Sequence, residues 1–294
     1  MRVAVRDHQN KSRGLVKAIA ESDRLELAQV GEPADILLID HDVTVYYRNT
    51  IRAYKNYGAR VFLYPHGATA HLAWDGVWPE YELTDCYLAM SEGQAEVMRV
   101  YGYHKQVEVT GWHWCEQKPF SKFAGGKPTV LYAPIHVLGN GFIHQPIKEI
   151  NALVMERLCK MSVNLKVRYI GELEACGIEK VGGVEYVQGA TNNSVNDIDK
   201  ADYVVSFGTF AYLSVSRGKP TIMYRQDIPY FDGHSEDGII EAESWELYED
   251  YMRYPIDVMD EDVLIKANQE QTEWRNKFIG EQMTTERLEE VLLA

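Results

Sequence analysis

Apolar residues gather along this chain in short runs, separated by stretches with helical spacing. RVAVR at Arg2–Arg6, ADILLID at Ala34–Asp40, RVFLY at Arg60–Tyr64 and DCYLAM at Asp85–Met90 read as buried strands, with Leu25–Val30 and Gln106–Thr110 beside them. Ser12–Ser22, Tyr46–Tyr57 and Glu92–Tyr101 carry helical periodicity; Gly58 and Gly102 fit helix ends, and Ser91 fits an N-cap. Strands alternating with helices predict a mostly parallel sheet, a Rossmann-like domain spanning residues 1–118.

The polar stretch WCEQKPFSKFAGGKP, from Trp114 to Pro128, has the composition of a linker. A second α/β half then opens with TVLYA at Thr129–Ala133. It continues through a helix near Gln145–Met161, a strand at Leu165–Ile170 and a helical segment at Ser194–Lys200. Glu172, Glu174 and Glu179 read as a solvated helix face. This second domain is predicted over 127–260. Helices over 261–294, including Thr285–Leu293, are expected to return toward the first domain.

One stretch of the second half has a particular chemical shape. In Lys200–Tyr230, Tyr203–Ser206 reads as a buried strand, Phe207-Gly208-Thr209 as a tight turn and Phe210–Arg217 as a helix ended by Gly218. The N–H groups that open a helix lack internal partners and its dipole favours an anion, so this turn is a candidate phosphate cradle. Gly208 lets the backbone approach closely, and Ser206 and Thr209 offer hydroxyls.

Composition narrows the partners. A chain of 294 residues with 46% hydrophobic and 25% charged residues fits an ordinary globular protein of two domains. It has no apolar run of the roughly 18 residues that a membrane span needs. MRVAVRDHQNKSRG enters a strand pattern directly, without the apolar segment of a signal peptide. Cys86, Cys115, Cys159 and Cys176 are widely spaced, which argues against a zinc cluster or disulfide framework and for the cytoplasm. The net charge of −14 disfavours partners gripped by their phosphates, DNA among them.

Ligands of open α/β sheets bind beyond the carboxyl ends of strands. His8, His41, His66, His113 and His136, five of the nine histidines, fall just after predicted strands, where a proton-transfer group would be useful. His66 stands between a proline and a glycine that set a turn. Asp40-His41-Asp42 offers an acid–base pair. His66, Asp40 and His41 are therefore the catalytic candidates. Gly171, Ser206, Gly208, Thr209, Arg225 and Asp227 follow strands of the second half, with His136. No metal site is expected.

YPHG at Tyr64–Gly67, LYAPIH at Leu131–His136 and DYVVSFGTFAYLSVSRGKPTIMYRQD at Asp202–Asp227, in that order, resemble the CDP-glycerol glycerophosphotransferase group. The resemblance implies a GT-B fold, α/β with two Rossmann-like domains facing a cleft and C-terminal helices. It implies His66 as catalytic base or acceptor-side histidine, a diphosphate cradle at Ser206, Gly208 and Thr209 with His136 nearby, and Asp227 near the transferred group or ribose. The group's Tyr-Ala-Pro is usually followed by Thr-Trp-Arg; here Ile135-His136-Val137 takes that place, so the cationic phosphate contact is either missing or replaced by His136.

The expected activity is transfer of a sugar or similar group from a nucleotide diphosphate donor, such as a UDP-sugar or an activated polyol, to a hydroxyl of a soluble acceptor. The donor is a co-substrate and no further cofactor is expected. Three alternatives share the fold. One is a transferase acting on hydroxymethylated bases of DNA, with Trp74–Tyr81, Trp112 and Trp114 as stacking rings. The others are a nucleotide-sugar epimerase and a non-catalytic nucleotide-sugar-binding protein.

Overall fold

The structure is a computed structural model that describes residues 1–6, 12–40, 45–65, 83–100, 103–114, 116–121, 125–134, 144–189, 194–206, 208–223, 272–273, 275–277 and 279–294. The chain divides into two compact units, one of Met1–Glu116 with Asn276–Ala294 and one of Gln117–Arg275.

Unit 1 holds β1 (Arg2–Arg6), α1 (Arg13–Glu21), β2 (Glu26–Ala28), β3 (Ile36–Ile39), α2 (Val45–Asn56), β4 (Arg60–Leu63), β5 (Cys86–Ala89), α3 (Glu92–Val100) and β6 (Gln106–Val109). The six strands pair in parallel in the order β2-β1-β3-β4-β5-β6. The runs of β3, β4 and β5 are apolar at nearly every position because both sheet faces are covered. Leu37, Ile39, Val61, Leu63, Tyr87 and Ala89 pack with Ile51 and Tyr54 of α2 and Ala95 and Met98 of α3. The alternate residues Ile36, Leu38, Phe62, Cys86 and Leu88 pack with Leu15 and Ile19 of α1. That second face also takes Leu288, Val291 and Leu292 of the final helix, α7 (Thr285–Leu293), whose N-cap Thr284 accepts from the Arg287 N–H at 3.1 Å. The returning segment is fixed by a short parallel bridge: the Trp112 N–H donates to the Glu281 carbonyl at 2.7 Å, and the Met283 N–H donates to that of Trp112 at 3.0 Å.

Unit 2 holds β7 (Thr129–Tyr132), α4 (His144–Cys159), β8 (Asn164–Tyr169), β9 (Glu185–Gln188), α5 (Val195–Lys200), β10 (Tyr203–Ser206), α6 (Gly208–Ser216) and β11 (Thr221–Met223). Its strands are also parallel, in the order β11-β10-β7-β8-β9. Val130, Tyr132, Val167, Tyr203 and Val205 share a core with Val154, Met155 and Leu158 of α4. The segment read as a linker is partly pinned here. The Lys118 N–H donates to the Ser216 carbonyl at 2.8 Å and the Ser121 N–H to that of Gly218 at 2.9 Å, while Lys118 and Arg217 both pair with Asp199. Gly218 has φ 69, and a Cβ there would sit 2.0 Å from the Pro119 oxygen, so this close approach requires glycine.

Two expectations change. The sequence pattern did not predict β9. In place of a helix face at Glu172–Glu179 there is a single 3₁₀ turn at Glu174–Cys176, closed by Gly177 in the left-handed conformation.

Candidate functional site

The strand order of unit 2 decides where a ligand would enter. From β7 the chain adds β8 and β9 on one side, then returns to place β10 and β11 on the other. The connections diverge at the β7–β10 boundary, and the crevice beyond their carboxyl ends is where open α/β sheets bind ligands. Ser206 is the last residue of β10 and sits at this boundary. It is 4% exposed, and its Oγ has no hydrogen-bond partner among the described residues.

The neighbouring buried hydroxyls behave otherwise. Ser214 Oγ donates to the Phe210 carbonyl, Ser216 Oγ to that of Leu213 and Thr221 Oγ1 to that of Lys219, each at 2.8 Å. A buried hydroxyl left unsatisfied costs about 1–3 kcal/mol, so the exception at Ser206 calls for an account. Gly208 and Thr209 form the first turn of α6, nine residues long, where backbone N–H groups lack intrahelical partners. From Phe210 to Ser216 every residue of that helix is buried, which explains why it is apolar all round.

Of the other donor-side residues, Gly171 lies beyond β8, one strand further from the boundary, with φ 72 and its carbonyl accepting from Gln188 Nε2. His136, Arg225 and Asp227 lie outside the described residues.

In unit 1 the divergence falls between β1 and β3, because β2 lies on one side of β1 and β3–β6 on the other. Asp40 follows β3 directly and is fully buried. Arg6, a residue the sequence pattern did not single out, ends β1 in register with Ile39. Its guanidinium lies over the Tyr46 ring at 4.3 Å, and Tyr64 Oη donates to its carbonyl at 3.4 Å. His66 and His41 lie outside the described residues.

His113 is placed as a packing residue. It is 3% exposed, meets Tyr64 edge to face at 5.7 Å, and burial pushes its pKa down to about 3, so it stays neutral. Trp112 is fully buried, which removes it as a base-stacking ring; Trp74–Tyr81 lies outside the described residues. A cavity of about 540 Å³ lies within unit 1 between α1 and the returning segment, lined in part by Arg13, Lys17, His113, Trp114 and Met283. No helix among the described residues is long and apolar enough to cross a membrane.

These two parallel α/β units define a protein of the GT-B fold. No family model matches the chain, and no curated protein matches it in sequence. Solved structures do match. One is a Listeria monocytogenes protein described as a UDP-N-acetylglucosamine 2-epimerase, at 13% identity and a TM-score of 0.58, with 95% of this chain and 92% of that one covered. Another is the UDP-GlcNAc 2-epimerase of Neisseria meningitidis bound to UDP-GlcNAc, at 12% and 0.53, with both chains covered in full. A third is the wall teichoic acid polymerase TagF, at 9% and 0.53, with 99% and 88% covered. At these identities the likeness is one of fold.

Proposed function

We propose that this protein is a transferase that moves a sugar or similar group from a nucleotide diphosphate donor to an acceptor hydroxyl. The observation that carries this reading is the unsatisfied Ser206 hydroxyl beside the start of α6, at the strand boundary where an α/β sheet takes its ligand. A diphosphate oxygen would accept from that hydroxyl and from the free N–H groups of the helix. Charge developing on the leaving diphosphate would then meet the aligned dipoles of the helix start. His136, Arg225 and Asp227 would complete the donor site, with Gly171 at its edge. His66 would take the acceptor proton, with Asp40 and His41 beside it.

Full-length likeness to UDP-GlcNAc 2-epimerases favours one second reading, conversion of the donor without any acceptor. The two part on a simple comparison. Nucleotide diphosphates and their sugars are first screened by thermal shift, since a ligand bound only to the folded state raises its melting temperature. The sugar that binds is then incubated with and without a pool of acceptors. Nucleotide release only with acceptor supports transfer, whereas a changed donor sugar in its absence makes the protein an epimerase. Within the transferase reading, His66→Ala abolishes turnover while nucleotide binding persists, and EDTA leaves the rate unchanged. Full activity of His66→Ala would remove the base assignment.

A further inference from the structure

Arg6 is placed as a ligand contact would be. Several arginines have carboxylate partners: Arg2, at the opposite end of the same strand, meets Glu32 at 2.8 Å, and in unit 2 Arg168 pairs with Asp197 and Arg217 with Asp199. Arg60 and Arg275, like Arg6, lie over aromatic rings instead, but neither stands at the carboxyl end of a strand at a sheet divergence. Arg6 is half-buried and has no ion pair among the described residues, and its Nε is buried without a hydrogen-bond partner. Its guanidinium carbon lies instead over aromatic rings, Tyr46 at 4.3 Å and Tyr47 at 5.3 Å, themselves edge to face at 6.1 Å. Ring contact satisfies none of the N–H groups, and the N–H edge of a guanidinium matches two oxygens of a carboxylate or phosphate. A guanidinium drawn partly out of water without a counter-ion costs free energy that an arriving oxyanion would recover.

Position agrees with chemistry. Arg6 ends β1 at the β1–β3 divergence, the place in unit 1 where strand order alone would put a ligand. Tyr46 is 59% exposed and offers a ring beside it against which a sugar or short polyol could lie. We infer that Arg6 is the anion contact of the acceptor site, and that the acceptor carries a phosphate or carboxylate beside the hydroxyl it presents. This rests on the transferase reading above and names the acceptor class within it.

The test is calorimetry with glucose 6-phosphate, glucuronate and glucose, done in saturating UDP or CDP so that the diphosphate site of unit 2 is already filled. Wild-type protein is expected to bind one of the anionic probes at least tenfold more tightly than glucose; the one it prefers separates phosphate from carboxylate recognition. Arg6→Gln abolishes that preference and Arg6→Lys keeps part of it, while nucleotide affinity stays within twofold in both. A wild type with no preference, or a preference that survives Arg6→Gln, overturns the Arg6 assignment and leaves nucleotide binding untouched. Failure of the wild type to bind any nucleotide diphosphate overturns the transferase reading and with it the acceptor role.

Discussion

The two units use the same device, a parallel sheet whose strand order diverges, and furnish it differently. At the β7–β10 boundary unit 2 presents a neutral hydroxyl and the start of a buried helix; at β1–β3 unit 1 presents a guanidinium over two tyrosines and a buried carboxylate, Asp40. The contrast separates two ways of meeting an anion. Helix amides and a hydroxyl carry no net charge and need no counter-ion when empty, so they can be fully buried. A guanidinium pays for desolvation when alone, and Arg6 accordingly keeps part of its surface in water. The first arrangement suits a diphosphate that must leave as well as bind, the second a substrate held by one fixed charge.

The units also differ in what their tightest backbone contacts require, and there the largest effects are expected. In unit 1, α1 crosses the backbone of His113 so closely that a Cβ on Gly14 would sit 1.7 Å from its carbonyl oxygen. An exposed helical glycine gains about 1 kcal/mol on replacement by alanine. Gly14→Ala should reverse that sign and destabilise by about 3 kcal/mol, since α1 and the 110–114 segment must separate. Gly218→Ala should do the same in unit 2, where left-handed strain adds to the clash with Pro119. Urea unfolding followed by hydrogen exchange checks both, with protection lost first in the unit that carries the change. A stabilised Gly14→Ala protein would contradict the α1–His113 approach.

Acidification should part the units next. His113 has its folded pKa pushed down by burial, to about 3, so between the ordinary imidazole value and that point the unfolded chain binds a proton that the folded unit refuses. Its contribution is complete above about pH 6.5 and is lost as pH falls toward 3, at up to about 1.4 kcal/mol per pH unit. In unit 2 the relevant group is Asp199, whose carboxyl is held below its usual range, first by the hydrogen bond from Arg217 and then by Lys118. Its folded pKa is depressed, so its contribution persists above about pH 4 and is lost only below that. Hydrogen exchange at pH 7 and pH 5 should therefore show unit 1 loosening while the 117–121 segment stays clasped. His113→Phe keeps an aromatic edge against Tyr64 and should flatten unit 1's response over that range; an unchanged pH dependence would remove His113 as its source.

What could be read from the chain follows the same physics. The strands were legible where both sheet faces are covered, since burial on two sides makes runs such as ILLI continuous. Ser91 was legible because its cap is local, its Oγ accepting from the Gln94 N–H at 3.1 Å. Edge strand β9 was not: EYVQ has two exposed ends and no contiguous apolar run, and only pairing with β8 makes it a strand. Glu174 stands beside Leu173, Cys176 and Ile178, which enter the core of unit 2, a demand that outweighs the helical spacing of its acidic neighbours. For the candidate site, the turn after β10 could be found from its glycine and hydroxyls. That it lies at the divergence of the sheet could not, because the side on which β10 inserts is decided by packing of the whole unit. Nor could Arg6 be told from other arginines, since its place at the end of β1, at the divergence of the sheet and over Tyr46, is a tertiary property.

The smallest expected effect is the most informative about unit 2. Ser206→Ala removes a hydroxyl that has no partner among the described residues, so the folded protein loses no hydrogen bond and sheds a buried polar group. Its melting temperature should stay level or rise, by at most about 1 kcal/mol in stability. If the hydroxyl serves a diphosphate, affinity for the nucleotide should fall by a comparable 1 kcal/mol, about fivefold, because one of several donors is lost while the α6 amides remain. Ser214→Ala is the matched control on the helix itself. It deletes a hydroxyl that is satisfied within the protein and should leave affinity alone. Affinity unchanged in Ser206→Ala, or lowered equally in both variants, would mean that the unsatisfied hydroxyl is a cost of the fold and that the ligand, if any, is held elsewhere.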